Sequence, residues 1–298
     1  MCTLIAKYFK DYGWVAAKNR DQNYIPHIKF INKKSKTNRI LLMYDEETGY
    51  REGTNSDGLC IMSTSLARSY SEEKDLKDGQ SIEKALEIGK PEEAGKFLIS
   101  KKIQGHILIF NKDIMYKIEA FHNPESGEYE HTLRKVSKGE PLACTNHGIT
   151  FEDAGFRDDD GPNEELRRES SESRRKYGME VAEKAKTPYD LIDGLSKRFN
   201  KDDFLNIFRT ATKPRLMRTV FQMMLIPSEN RCCVRPIQSK LTINKTEDHF
   251  ELEVLSNDQI QKIFKHSYKK FSTLSSTDNG KELCYECEPT LLQFKRFI

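Results

Sequence analysis

A strand that begins at residue 2 and folds straight back on itself constrains this chain more than any other stretch. In MCTLIAKYFKDYGWVAAKNRD, the runs TLIAKYF and GWVAAKN flank Asp11-Tyr12-Gly13, a hairpin-turn signature. A tight hairpin returns the end of its second strand to the start of its first, because register follows from the turn. Arg20 and Asp21 are therefore expected to flank Cys2.

Short apolar runs continue the pattern. HIKFINKK, RILLMYD and GLCIMST read as strands, each bounded by polar or glycine-containing breaks. SIEKALEIGKPEEAGKFLISKK reads as helical, with Ser81 as the N-cap and Pro91 opening a second helix. GHILIFN and IMYKIEAF form a second hairpin, with EYEHTLRKV pairing nearby. The last third returns to strands in RTVFQMMLIP, CCVRPIQ, LTINK and HFELEVL. Strands, then helices, then strands, with no repeat and no long linker, point to one α+β domain over residues 1–298 with layered sheets.

Between Phe156 and Lys186 large apolar residues almost vanish. FRDDDGPNEELRRESSESRRKYGMEVAEKAK reads as an acidic loop followed by an exposed helix with i,i+4 charge pairs. Short helices are expected around PYDLIDGLSKRF and DDFLNIFRT, which makes residues 157–210 a mainly helical insertion.

At 298 residues, 37% hydrophobic and 10% aromatic, the chain can fill a substantial core. Its 49 basic and 46 acidic residues leave a net charge of +3, with no concentrated basic face for nucleic acid or an anionic membrane. No apolar run approaches the ~18–20 residues of a membrane span. Lys7, Lys10 and Asp11 interrupt the place where a signal peptide needs its apolar stretch. The expected compartment is the cytoplasm, with the seven cysteines reduced. Oligomerisation is left open.

Chemistry concentrates at the start. Methionine is generally removed when the second residue is small, and cysteine qualifies. Removal would leave Cys2 with a thiol and a free α-amine. An α-amine titrates near ~7.7–8.0 and a thiol near ~8.5, so one residue supplies both a nucleophile and a base for it. Asp21 is expected to hold the α-amine through a charge-assisted hydrogen bond. Arg20 is expected to favour the thiolate or bind a substrate oxygen.

Several segments together resemble a known group. The opening MCT…NRD is similar to that of the choloylglycine hydrolases and penicillin V acylases, with the related acid ceramidases and isopenicillin N acyltransferases. WVAAKNRD also resembles a family named for an NRDE motif, in which Gln22 replaces the glutamate. EGTNSDGLCIMS resembles the group's Gly-x-Asn-x-x-Gly-Leu segment and puts Asn55 at an oxyanion position. LACTNHG resembles its Thr-Asn segment and makes Asn146 the second asparagine. PRLMRTV resembles the arginine segment further on, with Arg215 aligned to the active-site arginine and Arg218 as the other candidate.

The resemblance runs in scattered motifs from Cys2 to about Pro236. It implies an N-terminal-nucleophile (Ntn) hydrolase: a four-layer αββα sandwich of two antiparallel sheets. The implied reaction is cleavage of a linear amide C–N bond through a Cys2 thioester, with a small-molecule or peptide-like substrate and neither metal nor organic cofactor. Asn55 and Asn146 would steady the oxyanion, where losing one such donor costs ~2.7–4 kcal/mol in well-studied enzymes. An acyltransferase using the same thioester, a binding protein on the same fold and a self-processing precursor are the competing expectations.

Other signals are set aside. Cys284 and Cys287 make half a zinc site, and Cys232-Cys233 lacks the spacing of the other half. His147 beside Asn146 reads as a substrate contact or a structural residue, since the chemistry of Cys2 does not require it.

Overall fold

Cys2–Phe9 and Gly13–Gln22 form strands β1 and β2, paired antiparallel with Cys2 opposite Arg20 and Phe9 opposite Gly13. Glycine is required at the end of the turn. Gly13 has φ +71°, and a Cβ there would lie 2.1 Å from the carbonyl oxygen of Lys112. This computed structural model describes residues 1–67, 72–123, 125–152, 154–156, 162–210, 217–237, 239–244, 251–254, 282–284 and 292–295.

The hairpin belongs to a sheet of order β10-β1-β2-β11-β12-β16-β14. Its other strands are β10 (Leu142–Cys144), β11 (Arg218–Ile226), β12 (Arg231–Pro236), β14 (Glu251–Val254) and β16 (Leu292–Lys295). The second sheet runs β15-β13-β3-β4-β5-β6-β7-β8-β9. It comprises β3 (His27–Lys34), β4 (Arg39–Asp45), β5 (Arg51–Asn55), β6 (Cys60–Thr64), β7 (Gly105–Phe110), β8 (Met115–His122), β9 (Tyr129–Lys135), β13 (Lys240–Asn244) and β15 (Glu282–Cys284). Among the described residues, pairing is antiparallel except between β3 and β13, which run parallel. That single parallel contact departs from the all-antiparallel expectation.

Strand alternation explains the layers. Leu4, Ala6, Trp14 and Ala16 of the first sheet cluster with Phe30, Met43, Met62, Leu108 and Phe110 of the second, forming a core between the sheets. The alternate residues Ile5, Val15, Ala17 and Met224 meet Val181, Ala182, Leu191 and Ile192 on the opposite face. Those four belong to helices α3 (Pro162–Lys184) and α4 (Pro188–Gly194). Ile40, Leu42, Ile61, Ile107 and Ile118 likewise meet Ile82, Ala85, Ala94 and Leu98 from α1 (Glu72–Leu86) and α2 (Pro91–Ser100). Helices thus cover both outer faces of two stacked sheets, the expected αββα order. No helix among the described residues is long and apolar enough to cross a membrane.

Four local expectations are corrected. Ser81 is not an N-cap: α1 begins at Glu72, and the Ser81 hydroxyl donates within the helix to the carbonyl of Lys77 at 2.9 Å. Gly79 lies inside this helix, at a close approach where a Cβ would meet the Gly49 carbonyl oxygen at 2.4 Å. The DDFLNIFRT segment forms only a 3-10 turn, Asp203–Leu205. There the Asn206 side chain donates to the carbonyls of Asn200 and Asp202 at 2.8 and 2.9 Å, offering the backbone an alternative to a helix.

Within the 157–210 segment α3 and α4 are helical, and α3 packs against the first sheet instead of standing exposed. Solvent-side pairs such as Arg168–Glu172 at 3.4 Å fit the charge pattern. The sheet-facing side carries Ser170, Ser171, Arg174, Gly178, Val181 and Ala182, small or polar residues that disguise a buried stripe. Finally, the segment around Asn55 contains strand β5, and LAC forms β10, strands that the motif resemblance alone does not predict.

Candidate active site

Alternation along β1 turns Cys2 inward with Leu4 and Ala6, toward the space between the sheets. Directly opposite in register, Arg20 faces the same way. Both line a cavity of about 220 Å³, together with Lys18, Tyr24, Tyr50, Ser63, Asn146 and Met1. Cys2 is 6% exposed.

Strand β2 lies between β1 and β11 with both faces covered, so residues 14–21 are all buried. Its consecutive polar residues therefore need partners inside the protein. Lys18 donates to both Glu52 oxygens at 2.9 Å. Its ammonium also lies 4.7 Å from the Tyr50 ring centroid. Arg20 donates to the Asp45 carboxylate. Burial opposes the Arg20 charge, but Asp45, with smaller help from Cys2 and nearby tyrosines, raises its pKa and keeps it cationic. The Nε of Arg20 has no acceptor among the described residues.

Asp21 points the other way, toward α3 and the segment before β11. Its Oδ1 accepts from the Thr219 hydroxyl at 2.9 Å, and its Oδ2 lies 3.6 Å from Nη1 of Arg209. The carboxylate does not hold the N-terminus in this form. The main chain of Asp21 does, exchanging two hydrogen bonds with Met1: the α-amine donates to the Asp21 carbonyl and the Asp21 amide to the Met1 carbonyl, both at 2.8 Å. Burial, above all, pushes the Met1 α-amine down to about 6, with Arg174 and Arg209 adding to the effect against Cys2 and Asp21.

Asn146 reaches Cys2, with its oxygen forward. Oδ1 accepts from the Cys2 amide at 3.2 Å, while Nδ2 donates to the carbonyl of Ser65 at 2.7 Å. Asn55 is elsewhere. Its Oδ1 accepts from the amides of Asp57 and Leu59 at 3.0 and 2.8 Å, and Nδ2 donates to the Leu86 carbonyl at 2.7 Å. These bonds close the β5–β6 turn and anchor the end of α1, so Asn55 is a turn residue and not part of the cavity lining. Arg215 lies outside the described residues. Arg218 starts β11 opposite Gln22 and is not among the cavity-lining residues.

Two arginines escaped the sequence reading. Arg209 is the one beside Asp21. It also donates to the carbonyl of Phe204 at 2.9 Å. Arg174, from α3, donates to the Cys2 carbonyl at 2.6 Å, to Thr3 Oγ1 at 3.1 Å and to Asn146 Oδ1 at 2.9 Å. Those acceptors are all uncharged, and burial together with Arg209 lowers its pKa to about 9. A sequence signal existed for Arg174, the 3.6-residue spacing of Ser170, Arg174, Gly178 and Val181, but it is invisible to a search for apolar stripes.

Behind Asn146, the loop after β10 is tied down by Glu119. Its Oε1 accepts from the amides of Ile149 and Thr150 at 2.7 Å and of Phe151 at 3.2 Å. His147 bonds Ser171 Oγ at 2.9 Å, and burial first, then His106, pushes its pKa down to about 3. It is structural in this arrangement. The same Ser171 hydroxyl accepts from the Asn146 amide at 2.8 Å.

No protein-family model matches the sequence, and no curated protein matches it. Among solved structures, the chain is similar to a penicillin V acylase from Agrobacterium tumefaciens, with a TM-score of 0.45 and 10% identity, over 79% of this chain and 83% of that one.

No group of three or more metal-ligating side chains is assembled among the described residues. Cys284 lies in β15 and Cys287 outside the described residues. Cys232 and Cys233 are buried in β12.

Proposed function

We propose that this protein is an N-terminal-nucleophile hydrolase of linear amides, active once the residue before Cys2 is removed. The observation that carries the reading is the way Cys2 is held. Its thiol-bearing face opens on a cavity, while its nitrogen is bonded to Asn146 and its carbonyl to Arg174. A nucleophile and its prospective base are thereby fixed on one residue, as intramolecular proton transfer requires.

In the reaction, the Cys2 sulfur attacks the amide carbonyl carbon and its proton passes to the α-amine. Asn146 Oδ1 accepts an N–H of that amine and leaves its lone pair for the thiol. Arg174, which donates to the Cys2 carbonyl and to Asn146 Oδ1, is a buried cation beside that amine and favours its neutral form. Arg20, a fixed buried cation across from the thiol with an uncommitted Nε–H, is suited to the developing oxyanion, the role expected of Asn55, whose amide is bonded within its turn. The proton then moves to the leaving nitrogen, the C–N bond breaks, and water resolves the thioester. Asp21 and Arg209 oppose each other behind β2 and balance charge next to the amine.

Intact-mass spectrometry of the processed protein with a library of acyl amides tests the reading. The expected result is a mass increase by the acyl group, located on Cys2 and absent in Cys2→Ala. No adduct and no product, from protein whose Cys2 still reacts with a generic thiol reagent, would overturn it.

A further inference from the structure

Met1 sits in this site as a ligand would. It continues β1 by one residue and exchanges both main-chain hydrogen bonds with Asp21, the narrow pair of an antiparallel ladder. Its side chain lies in the cavity region, with the sulfur 3.8 Å from Nη2 of Arg174. Asp21 itself is 0% exposed. Removing Met1 leaves the main-chain N–H and C=O of Asp21 without these partners, at the edge of the cavity. A strand edge with an N–H and a C=O side by side favours a molecule that supplies partners for both at once.

We infer that the seat of Met1 becomes the substrate's recognition subsite, and that it takes an extended α-amino acyl unit whose N–H and C=O pair with the main chain of Asp21. The subsite works as strand addition reduced to one residue: main-chain bonds supply affinity, and the neighbouring cavity selects the side chain. Met1 itself shows that an unbranched side chain is accommodated there, where Leu66, Ala67 and Met217 line the cavity beside the polar Lys18, Arg20 and Arg167. The pairing requires both groups on one edge of an extended residue, so an L-configured unit fits and a simple fatty amide lacks the second bond. The inference rests on the hydrolase reading for its substrate role, and it sharpens that reading from any linear amide to a peptide-like one.

The test avoids turnover. Serine at position 2 still permits removal of Met1 and lacks the thiol, so Cys2→Ser protein is prepared with Met1 removed and with Met1 retained. Hydrogen exchange of the Asp21 amide is followed by NMR in both, without and with L-methionine amide. The expected result is a protected amide when Met1 is retained, at least tenfold faster exchange when it is gone, and restored protection on adding L-methionine amide. Binding should be at least tenfold tighter than for D-methionine amide or hexanamide. Unchanged protection after removal, absence of binding, or equal binding to the Met1-retained protein would each overturn the inference. Acylation of wild-type Cys2, read separately by mass spectrometry, reports on the hydrolase reading alone.

Discussion

Asn55 and Asn146 carry the same amide, and their neighbours give them opposite work. Asn55 satisfies a turn with three hydrogen bonds while wholly buried. Asn55→Ala should lower stability by about 2–4 kcal/mol, because two amides and a carbonyl lose partners. Acylation of Cys2 per folded molecule should stay within about threefold of wild type, as urea unfolding and adduct-formation rates can check. Arg174 should behave in the reverse sense. Its fork spans Cys2, Thr3 and Asn146, a geometry that lysine's single ammonium cannot reproduce. Arg174→Lys should slow Cys2 acylation by tenfold or more, a larger effect than Asn55→Ala has on the same rate.

At the scale of elements, close approach decides where helices run. Gly79 is a poor helix former, worth about 1 kcal/mol less than alanine in a free helix. Here the gain from alanine is outweighed, since a Cβ would press to 2.4 Å from a backbone oxygen. Gly79→Ala should therefore destabilise the protein by about 1–3 kcal/mol, against the helix-propensity trend, as thermal or urea unfolding would show. A neutral or stabilising result would mean that α1 does not pack against the Gly49 backbone. Gly178 makes a looser close approach in α3, where Ile5 Cγ2 and Ala143 Cβ would lie 3.1 and 3.3 Å from a Cβ, on the face from which Arg174 reaches the first strand.

Across the whole molecule, the two sheets meet over buried charges as well as apolar side chains, and acid should find them. His106 is wholly buried, its pKa pushed down to about 4 by burial and then by Lys117. Imidazoles held below the ordinary value of about 6.5 stay neutral in the folded protein while the unfolded chain takes up protons. Stability should therefore fall as pH drops from about 6.5 toward about 4, by on the order of 3 kcal/mol from His106 alone. Glu119 resists its burial through His106, Lys117 and the amides of Thr150 and Ile149, and is lowered to about 2. Its contribution, present above about 4.5, is lost below that value, in the same direction. Urea midpoints across this range should decline, with a shallower slope in His106→Gln. A flat profile would remove His106 as the cause.

The α+β class, the first hairpin with its Cys2–Arg20 register and most strands were legible in the chain, because period-two patterning and a glycine turn are local properties. So was the possible chemistry of Cys2, which resides in one residue. The identity of its neighbours was not. Arg174 lies 172 residues away and Asn146 lies 144 away, and each reaches Cys2 only because α3 and the loop after β10 pack over the first strand. Asn55, in a convincing motif, fell to a turn, since a side-chain amide bonds to whatever donors the backbone brings within 3 Å. Local pattern places the hairpin that ends in Cys2; only long-range packing determines which charges and amides surround its thiol.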